Sequence, residues 1–198
     1  MSRLENDHAK PVLKDMILYG RDVTLLPAAL TSLSLFAFKL LVVANHNGEQ
    51  QRFFTAKDRH LFAKHLAIPQ GVQVWIASRK SHARYHHTGV FNSHFGKLPA
   101  RTNNAIELYV CTWGIGHLLI QTVGVRWALR ATRRRNVPLP TLRQNDAMND
   151  SAIAVWPNQQ KPIVWPPKLH IGDDTIDLFC DRWENLNFPS SLLNAPTM

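Results

Sequence analysis

An apolar run of 22 residues, Val23–Ala44, limits the folds open to this chain more than any other feature. Its sequence is VTLLPAALTSLSLFAFKLLVVA, and Lys39 is its one charged residue. About 20 apolar residues are enough to cross a bilayer, so the run must be buried in a core, lie at a membrane interface or span the membrane. Several of its polar residues share one side of a helix, which is typical of an amphipathic helix: Thr24, Thr31, Ser32 and Lys39, with Ser34 at the edge. We expect a core helix with Pro27 in its first turn and an end at Asn45–Gly48, and bilayer contact is the alternative.

Positive charge is concentrated in the middle of the chain. Residues 46–135 hold fourteen Lys and Arg against three Asp and Glu, a net +11, whereas the whole chain carries +9. Residues 1–45 have a net charge of +1, and residues 145–198 have −4. A field of one sign and this size attracts phosphate groups, either in nucleic acid or on an anionic membrane surface. A solvated basic face without a partner is the plain alternative.

Short-range signals predict a helix and then a strand near the start of this basic segment. Thr55 with Asp58 three residues later matches the pattern of a capping box, so we expect a helix from Thr55 through Leu66. Pro69–Gly71 should end it. The next stretch, VQVWIAS at Val72–Ser78, alternates and is rich in β-branched and aromatic residues, which predicts a strand.

The chain beyond this strand has two further parts. Arg79–Asn104 is polar, basic and punctuated by glycine, which is typical of a long functional loop or an irregular strand pair. The second apolar run, Ile106–Arg135, follows, and its later part Leu118–Arg134 has arginines at helical spacing. These arginines are four and three residues apart, at Arg126, Arg130 and Arg133. We expect a basic amphipathic helix over Leu118–Arg134.

Together these elements predict the α+β class. We expect a single domain with a small mixed or antiparallel sheet, one long apolar helix and one basic amphipathic helix. Residues 1–144 should form the basic core with the apolar helices. Residues 145–198 should form an acidic, proline-rich tail packed on the core, with a β-hairpin over Lys168–Phe179 that turns at Gly172–Asp174.

The cysteines and the N-terminal residues bear on the compartment. Cys111 and Cys180 are far apart and form no CxxC pair, which favours a reducing compartment. The first residues, MSRLENDHAKPVLKD, are polar and mixed in charge, unlike a signal peptide. We expect a cytoplasmic protein, which would be membrane-associated if Val23–Ala44 contacts the bilayer.

The helix predicted after Thr55 carries Arg59 and, six positions later, His65. A histidine can transfer a proton near neutral pH, and a guanidinium can stabilise the charge on a phosphorane. This pattern resembles the R-x(4–6)-H motif of HEPN ribonucleases. The resemblance implies metal-independent RNA cleavage with Arg59 and His65 at the scissile phosphate, and an all-helical domain, from which the predicted strand departs. A solvated basic helix face is the plain alternative.

Seven of the ten histidines lie between His46 and His94, which raises the question of a metal site. His60 and His65 followed by His82, His86 and His87 look like the first two histidine boxes of membrane fatty-acid desaturases and hydroxylases, in which imidazoles hold two irons. The third box of that family, HxxHH, has no counterpart after His87. A plain metal site of His82, His86 and His87 is the simpler metal hypothesis. No other cofactor is indicated, because the sequence contains no Walker loop, dinucleotide fingerprint, GxSxG or HExxH.

The same basic stretch can instead contact nucleic acid, and we favour this hypothesis. The candidate nucleic-acid-binding residues are Arg79, Lys80, Arg84, Tyr85, Arg126, Arg130, Arg133 and Arg134. Tyr85, Phe91 and Phe95 could stack on bases, so RNA is favoured over DNA. If the protein is a nuclease, its candidate catalytic residues are Arg59, His65 and His86. The alternatives are a membrane-associated protein with residues 23–44 in the bilayer and a histidine-dependent metalloenzyme, and enzymatic activity itself stays open.

Overall fold

The computed structural model describes residues 9–47, 53–80, 86–87, 91–95, 106–127, 150–157 and 160–172. Three helices lie in these ranges: α1 (Lys10–Tyr19), α2 (Pro27–Asn47) and α3 (Ala56–His65). Eight strands accompany them: β1 (Val23–Leu25), β2 (Val72–Ser78), β3 (His86–His87), β4 (Phe91–Phe95), β5 (Ile106–Ile115), β6 (Leu118–Trp127), β7 (Ala152–Trp156) and β8 (Ile163–Trp165). The α+β class predicted from the sequence is confirmed.

Six strands form the main sheet, and all of their pairings are antiparallel. Its order is β3-β5-β6-β2-β7, and β4 pairs with β5 beside β3. The other two strands, β1 and β8, form a separate antiparallel pair. The small antiparallel sheet that we predicted is therefore present, with β2 between β6 and β7.

Helix α2 lies across one face of the main sheet. Leu30, Leu33 and Ala37 are buried at a spacing of three and four residues, so they form one side of the helix. They pack in one apolar cluster with Val74 and Ile76 of β2. Farther along, Phe38 and Leu41 join a second cluster with Val72, Tyr109 and the aromatic residues of the α3 region. Each fully buried side chain of this size contributes about 1.5–3 kcal/mol relative to exposure.

Helix α2 begins later than the apolar run does. Val23–Leu25 forms β1, because its backbone pairs with β8, which is about 140 residues away along the chain. The helix starts at Pro27, whose missing N–H is no loss in a first turn, as predicted. From Pro27 to His46 the helix is long and apolar enough to cross a membrane by length and composition. Core helices of soluble proteins have the same properties.

The prediction of a helix over Leu118–Arg134 is wrong for its first ten residues. Leu118–Trp127 is strand β6, which pairs along its whole length with β5. The run is mostly apolar there, with Gln121, Thr122 and Arg126 as its polar residues, and such a pattern fits a buried strand as well as a helix. Between the strands Gly116 has φ +57°, the sign that primed hairpin turns need at their first central position. Residues 128–134 lie outside the described ranges.

The predictions near α3 and β2 are confirmed. Thr55 caps α3 in a capping box with Asp58, and the helix ends at His65 with Leu66 as its C-cap. Strand β2 covers Val72–Ser78 as predicted. Within Arg79–Asn104, where we expected a long loop or an irregular strand pair, the structure has strands β3 and β4, and each of them pairs with β5.

The tail contributes strands to both sheets. Strand β7 pairs with β2, and β8 pairs with β1. Ile171 makes a parallel bridge to Arg79, just beyond the end of β2. Residues 173–179 of the predicted hairpin over Lys168–Phe179 lie outside the described residues, so the hairpin stays a prediction.

Candidate nucleic-acid interface

Helix α3 is held at the Val72 end of β2 by its cap and by aromatic packing. The Thr55 hydroxyl accepts a hydrogen bond from the Asp58 N–H at 3.1 Å, and the Asp58 carboxylate accepts one from the Thr55 N–H at 2.9 Å. Phe62 is the one buried side chain of the helix, and its ring meets the Phe38 ring edge-on with centroids 4.9 Å apart. Phe54, just before the cap, meets the same Phe38 ring at 5.1 Å. The orientation of α3 is therefore set by three aromatic rings.

This orientation leaves a basic stripe on the outer side of α3. Lys57, His60 and Lys64 are exposed, and their spacing of three and four residues puts them along one line of the helix. At about 100° per residue, this line lies roughly opposite the buried Phe62. We call these three residues the α3 stripe. They present two ammonium groups and an imidazole on a fixed helix.

Arg59 and His65 do not share this stripe or each other's side of the helix. The Arg59 Nη1 donates a hydrogen bond to the Phe54 carbonyl at 2.6 Å, which ties the guanidinium to the chain that leads into α3. His65 is exposed at the last position of the helix. Six residues of helix turn the two side chains about 120° apart. The catalytic roles suggested for this pair stay a prediction, and the geometry does not bring the two groups together.

Arg126 is also engaged inside the molecule. It lies on β6 opposite Glu107 of β5, and their side chains form an ion pair. The Arg126 Nη1 donates a hydrogen bond to the Phe53 carbonyl, and the guanidinium lies over the Phe53 ring, 4.4 Å from its centroid. Gly124 allows this close packing, because a Cβ at that position would come within 2.8 Å of the Phe53 ring. The guanidinium of Arg126 thus joins α3's leading loop to the sheet.

Asn45 and Tyr109 complete the same region. The Asn45 Oδ1 accepts a hydrogen bond from the Phe54 N–H at 3.1 Å, so the end of α2 also holds the chain before α3. Burial raises the pKa of Tyr109 to about 12, although its hydrogen bond with Asn45 acts in the opposite direction. The Tyr109 hydroxyl therefore stays protonated over the whole physiological range. We call Asn45, Phe53, Phe54, Phe62, Tyr109, Glu107 and Arg126 the aromatic junction.

At the other end of β2 the two neighbouring cations differ in exposure. Arg79 is 5% exposed, and its N–H donates to the His117 carbonyl at 2.8 Å. Lys80 is exposed, and its N–H donates to the Ile171 carbonyl at 3.3 Å. Of these two candidate phosphate contacts, Lys80 is the one that presents its side chain to solvent.

A serine and a histidine from distant parts of the chain meet beside these cations. Ser78 Oγ lies 2.5 Å from His170 Nδ1, and 92 residues separate the two positions. Ser78 is 1% exposed, whereas His170 is exposed. The Ile171 N–H donates to the Ser78 carbonyl at 2.8 Å, so the backbone next to His170 is also attached to β2. We call Ser78, Lys80 and His170 the strand-end group.

His117 lies near the strand-end group but is packed into the fold. Its Nδ1 lies 3.3 Å from the Arg79 carbonyl, and its ring covers Gly20 closely enough that a Cβ there would be 3.0 Å from its Cγ. Its N–H donates to the Ile17 carbonyl at 3.2 Å. These contacts attach the β5–β6 turn to the end of α1.

For the remaining candidate residues, the structure describes only the backbone or does not describe the residue at all. The backbone of His86 pairs with Gly114, and that of His87 pairs with Trp113. The other candidates lie outside the described residues: His82, Arg84, Tyr85, Arg130, Arg133 and Arg134. Among the residues that the structure describes, no group of three or more His, Cys, Asp or Glu side chains is placed to hold a metal ion. The metal hypothesis for His82, His86 and His87 stays a prediction.

Sequence reasoning missed Ser78 and His170 as partners. Neither residue belongs to a local motif, and their meeting depends on the attachment of residues 170–171 to the end of β2. The α3 stripe, in contrast, follows from helical periodicity once Phe62 is recognised as the buried position. Comparisons with protein-family models, curated proteins and solved structures find no match to this chain.

Proposed function

We propose that the protein binds nucleic acid, with RNA favoured over DNA, and that the α3 stripe contributes phosphate contacts. The observation that carries this proposal is the exposure of Lys57, His60 and Lys64 along one line of a firmly held helix. Lysine ammonium groups on such a surface neutralise phosphates and release counterions, which supplies most of the affinity in nonspecific binding. Positioned cations lose less freedom on binding than cations on a flexible chain, because the helix is already ordered.

The net charge supports this proposal beyond α3. Residues 46–135 carry +11, and the two arginines that pack into the aromatic junction region, Arg59 and Arg126, account for only part of it. Lys80 adds an exposed cation at the other end of β2. Strand β2, which lies between these two sites along the chain, is seven residues long and extends over about 20 Å at 3.3 Å per residue. A single strand of several nucleotides reaches over a distance of that order.

The preference for RNA rests on residue types in the basic segment. Tyr85, Phe91 and Phe95 are interleaved with basic residues, and aromatic rings stack on the unpaired bases that single-stranded RNA presents. We expect single-stranded RNA to bind more tightly than duplex DNA of equal length at the same salt concentration.

A pair of matched double variants tests the proposal. K57Q/K64Q removes two charges from the α3 stripe, whereas K10Q/K14Q removes two exposed charges from α1, which lies outside the basic segment. Fluorescence anisotropy with labelled single-stranded RNA should show weaker binding for K57Q/K64Q and near wild-type binding for K10Q/K14Q. Circular dichroism checks that both remain folded. No binding by the wild type at low salt, or equal losses in both variants, would contradict the proposal.

The alternative function, membrane association, is supported by the properties of helix α2. From Pro27 to His46 the helix is long and apolar enough to cross a membrane, and 33% of its apolar stretch is buried inside the domain. Much of the helix surface could therefore meet lipid, with the basic segment against anionic headgroups. Flotation with anionic vesicles in high salt separates the two proposals. Protein that stays with the vesicles after the salt wash favours membrane insertion, and protein that remains in the soluble fraction favours nucleic-acid binding.

A further inference from the structure

His170 is an exposed imidazole whose position is set from two sides. Its Nδ1 is hydrogen-bonded to the buried Ser78 hydroxyl at 2.5 Å. The neighbouring Ile171 exchanges two backbone hydrogen bonds with the strand, donating to the Ser78 carbonyl at 2.8 Å and accepting from the Lys80 N–H at 3.3 Å. The ring is thereby oriented with Nδ1 toward the protein, which leaves Nε2 as the nitrogen that can meet a ligand.

A serine hydroxyl is a suitable partner for a histidine that exchanges protons. The hydroxyl can donate to a bare Nδ1, and after rotation it can accept from a protonated Nδ1. An imidazole that takes a proton at Nε2 carries its own hydrogen on Nδ1 before and after the transfer, and the serine hydroxyl accepts from this Nδ1–H in both states. The ring therefore keeps its orientation while Nε2 takes a proton and later returns it.

Among the described residues, the other exposed histidines, His46, His60 and His65, lack this support. His60 and His65 lie on the outer surface of α3, and within the described part of the chain neither ring makes a hydrogen bond. His117 is hydrogen-bonded through Nδ1, but its ring is packed between the Arg79 carbonyl and Gly20. His170 combines an exposed ring with a fixed orientation.

Lys80 brings a positive charge to the same place. Its side chain is exposed, and its backbone is hydrogen-bonded to the residue next to His170. An ammonium group there can hold a phosphate oxygen and offset the charge that develops on a phosphorane. The strand-end group thus contains a cation for phosphate and an oriented imidazole for proton transfer.

We propose that the strand-end group cleaves RNA, an inference that rests on the proposed function of RNA binding. In this reaction His170 transfers the proton, Lys80 contacts the phosphate and Ser78 positions the His170 ring. His170 Nε2 takes the proton of a ribose 2′-hydroxyl, and the 2′-oxygen forms a bond to phosphorus. The bond from phosphorus to the 5′-oxygen breaks, and the leaving oxygen takes a proton from water. The imidazolium then returns its proton to the hydroxide. The products are a 2′,3′-cyclic phosphate and a 5′-hydroxyl, and no metal or other reactant is consumed.

The experiment compares RNA with DNA of the same sequence in the presence of EDTA. Wild-type protein should convert RNA to fragments that end in 2′,3′-cyclic phosphate and should leave DNA intact, because DNA has no 2′-hydroxyl. H170A and H170Q should both lower the cleavage rate by roughly a hundredfold or more while they retain RNA binding. H46A, which removes an exposed histidine at the end of α2, should cleave at the wild-type rate.

Chemical rescue separates proton transfer from a structural role. Added imidazole should restore part of the activity of H170A but none of the activity of H170Q, whose side chain fills the space. S78A should cleave more slowly than wild type, and S78T, which keeps the hydroxyl, should recover much of the loss.

The results distinguish this inference from the proposed function. RNA binding by the wild type without cleavage, cleavage that EDTA abolishes, or wild-type cleavage rates in H170A overturns the inference and leaves RNA binding standing. A loss of cleavage in H170A that imidazole does not restore also overturns it. Absence of RNA binding removes the proposed function as well.

Discussion

The two ends of β2 use positive charge differently. At the Val72 end, the Arg59 and Arg126 guanidiniums donate to main-chain carbonyls, those of Phe54 and Phe53, and Arg126 also pairs with Glu107. At the Ser78 end, Lys80 is exposed beside an oriented imidazole. The two arginines at the Val72 end therefore stabilise the fold, whereas Lys80 at the Ser78 end remains available to a ligand.

This difference follows from the chemistry of the two cation types. A guanidinium has five N–H donors in a planar arrangement and is weakly hydrated, so it can pack on a ring and satisfy carbonyls at the same time. An ammonium group is strongly hydrated and stays in water while its stem lies on the protein. The α3 stripe follows the same rule, because Arg59 turns inward whereas Lys57 and Lys64 turn outward. The net charge of the sequence does not distinguish the arginines that are engaged inside the fold from the lysines that are exposed to solvent.

The largest effect is expected for Phe62→Ala, which removes the one buried side chain of α3. Loss of an aromatic ring from a packed core costs about 4 kcal/mol in the free energy of unfolding. Urea denaturation should show this loss, and RNA binding should fall with it because α3 is no longer held. Leu61→Ala is the matched control, since Leu61 is 37% exposed and should cost under about 1 kcal/mol. Equal losses for both variants would show that α3 does not depend on the aromatic junction.

The next effect is expected for Arg126→Met. It removes the ion pair between Arg126 and the buried Glu107 carboxylate, which costs about 3 kcal/mol. Urea denaturation measures the loss, and the double variant with Glu107→Gln should recover part of it. A loss below about 1 kcal/mol would mean that Arg126 is not a structural cation.

Thr55→Ala should have a smaller effect. It removes the hydroxyl that accepts from the Asp58 N–H, and loss of an N-cap costs about 1 kcal/mol. Thermal denaturation followed by circular dichroism is sufficient to detect it. Thr31→Ala in α2 is the control, because the Thr31 hydroxyl only donates to the Pro27 carbonyl of its own helix and is exposed. If Thr55→Ala lowers the stability no more than Thr31→Ala does, the cap does not stabilise α3, and the aromatic contacts alone hold the helix.

The pH dependence of unfolding tests burial within the aromatic junction. The folded-state pKa of Tyr109 is raised to about 12 from an ordinary value of 10.0, so the unfolded chain releases this proton first as the pH rises. The stability contribution of the neutral hydroxyl is complete below pH 10 and is lost as the pH rises toward 12. The difference in unfolding free energy between wild type and Tyr109→Phe should therefore decline over that interval. A constant difference would contradict the burial of this hydroxyl.

Local chemistry in the sequence was enough to predict the capped helix after Thr55, the strand Val72–Ser78 and the position of Pro27 in the first turn of α2. Each depends on a few neighbouring residues whose preferences agree. Strand β6 was predicted as part of a helix because Arg126, Arg130 and Arg133 recur at helical spacing, although only Arg126 lies within the strand. Leu118–Trp127 forms a strand because its backbone pairs with β5, and the residues of β6 alone do not reveal this pairing.

The candidate site was less predictable than the fold. Charge and residue type indicated a phosphate-binding surface, but they could not separate the inward Arg59 from the outward Lys64 without knowing which side of α3 is buried. The meeting of Ser78 with His170 has no local signal, since it is produced by a bridge between segments 92 residues apart.

The contrast between inward and outward cations is tested most directly by the salt dependence of RNA binding in Arg59→Gln and Lys64→Gln. The two variants remove equal charge from the same helix, five residues apart. For Lys64→Gln, the slope of log affinity against log salt concentration should be smaller in magnitude than that of the wild type by about 0.7, the value for one phosphate contact on a single strand. For Arg59→Gln, the slope should equal that of the wild type, although its stability falls. A change in slope of the same size in both variants would contradict the division of roles between the two cations.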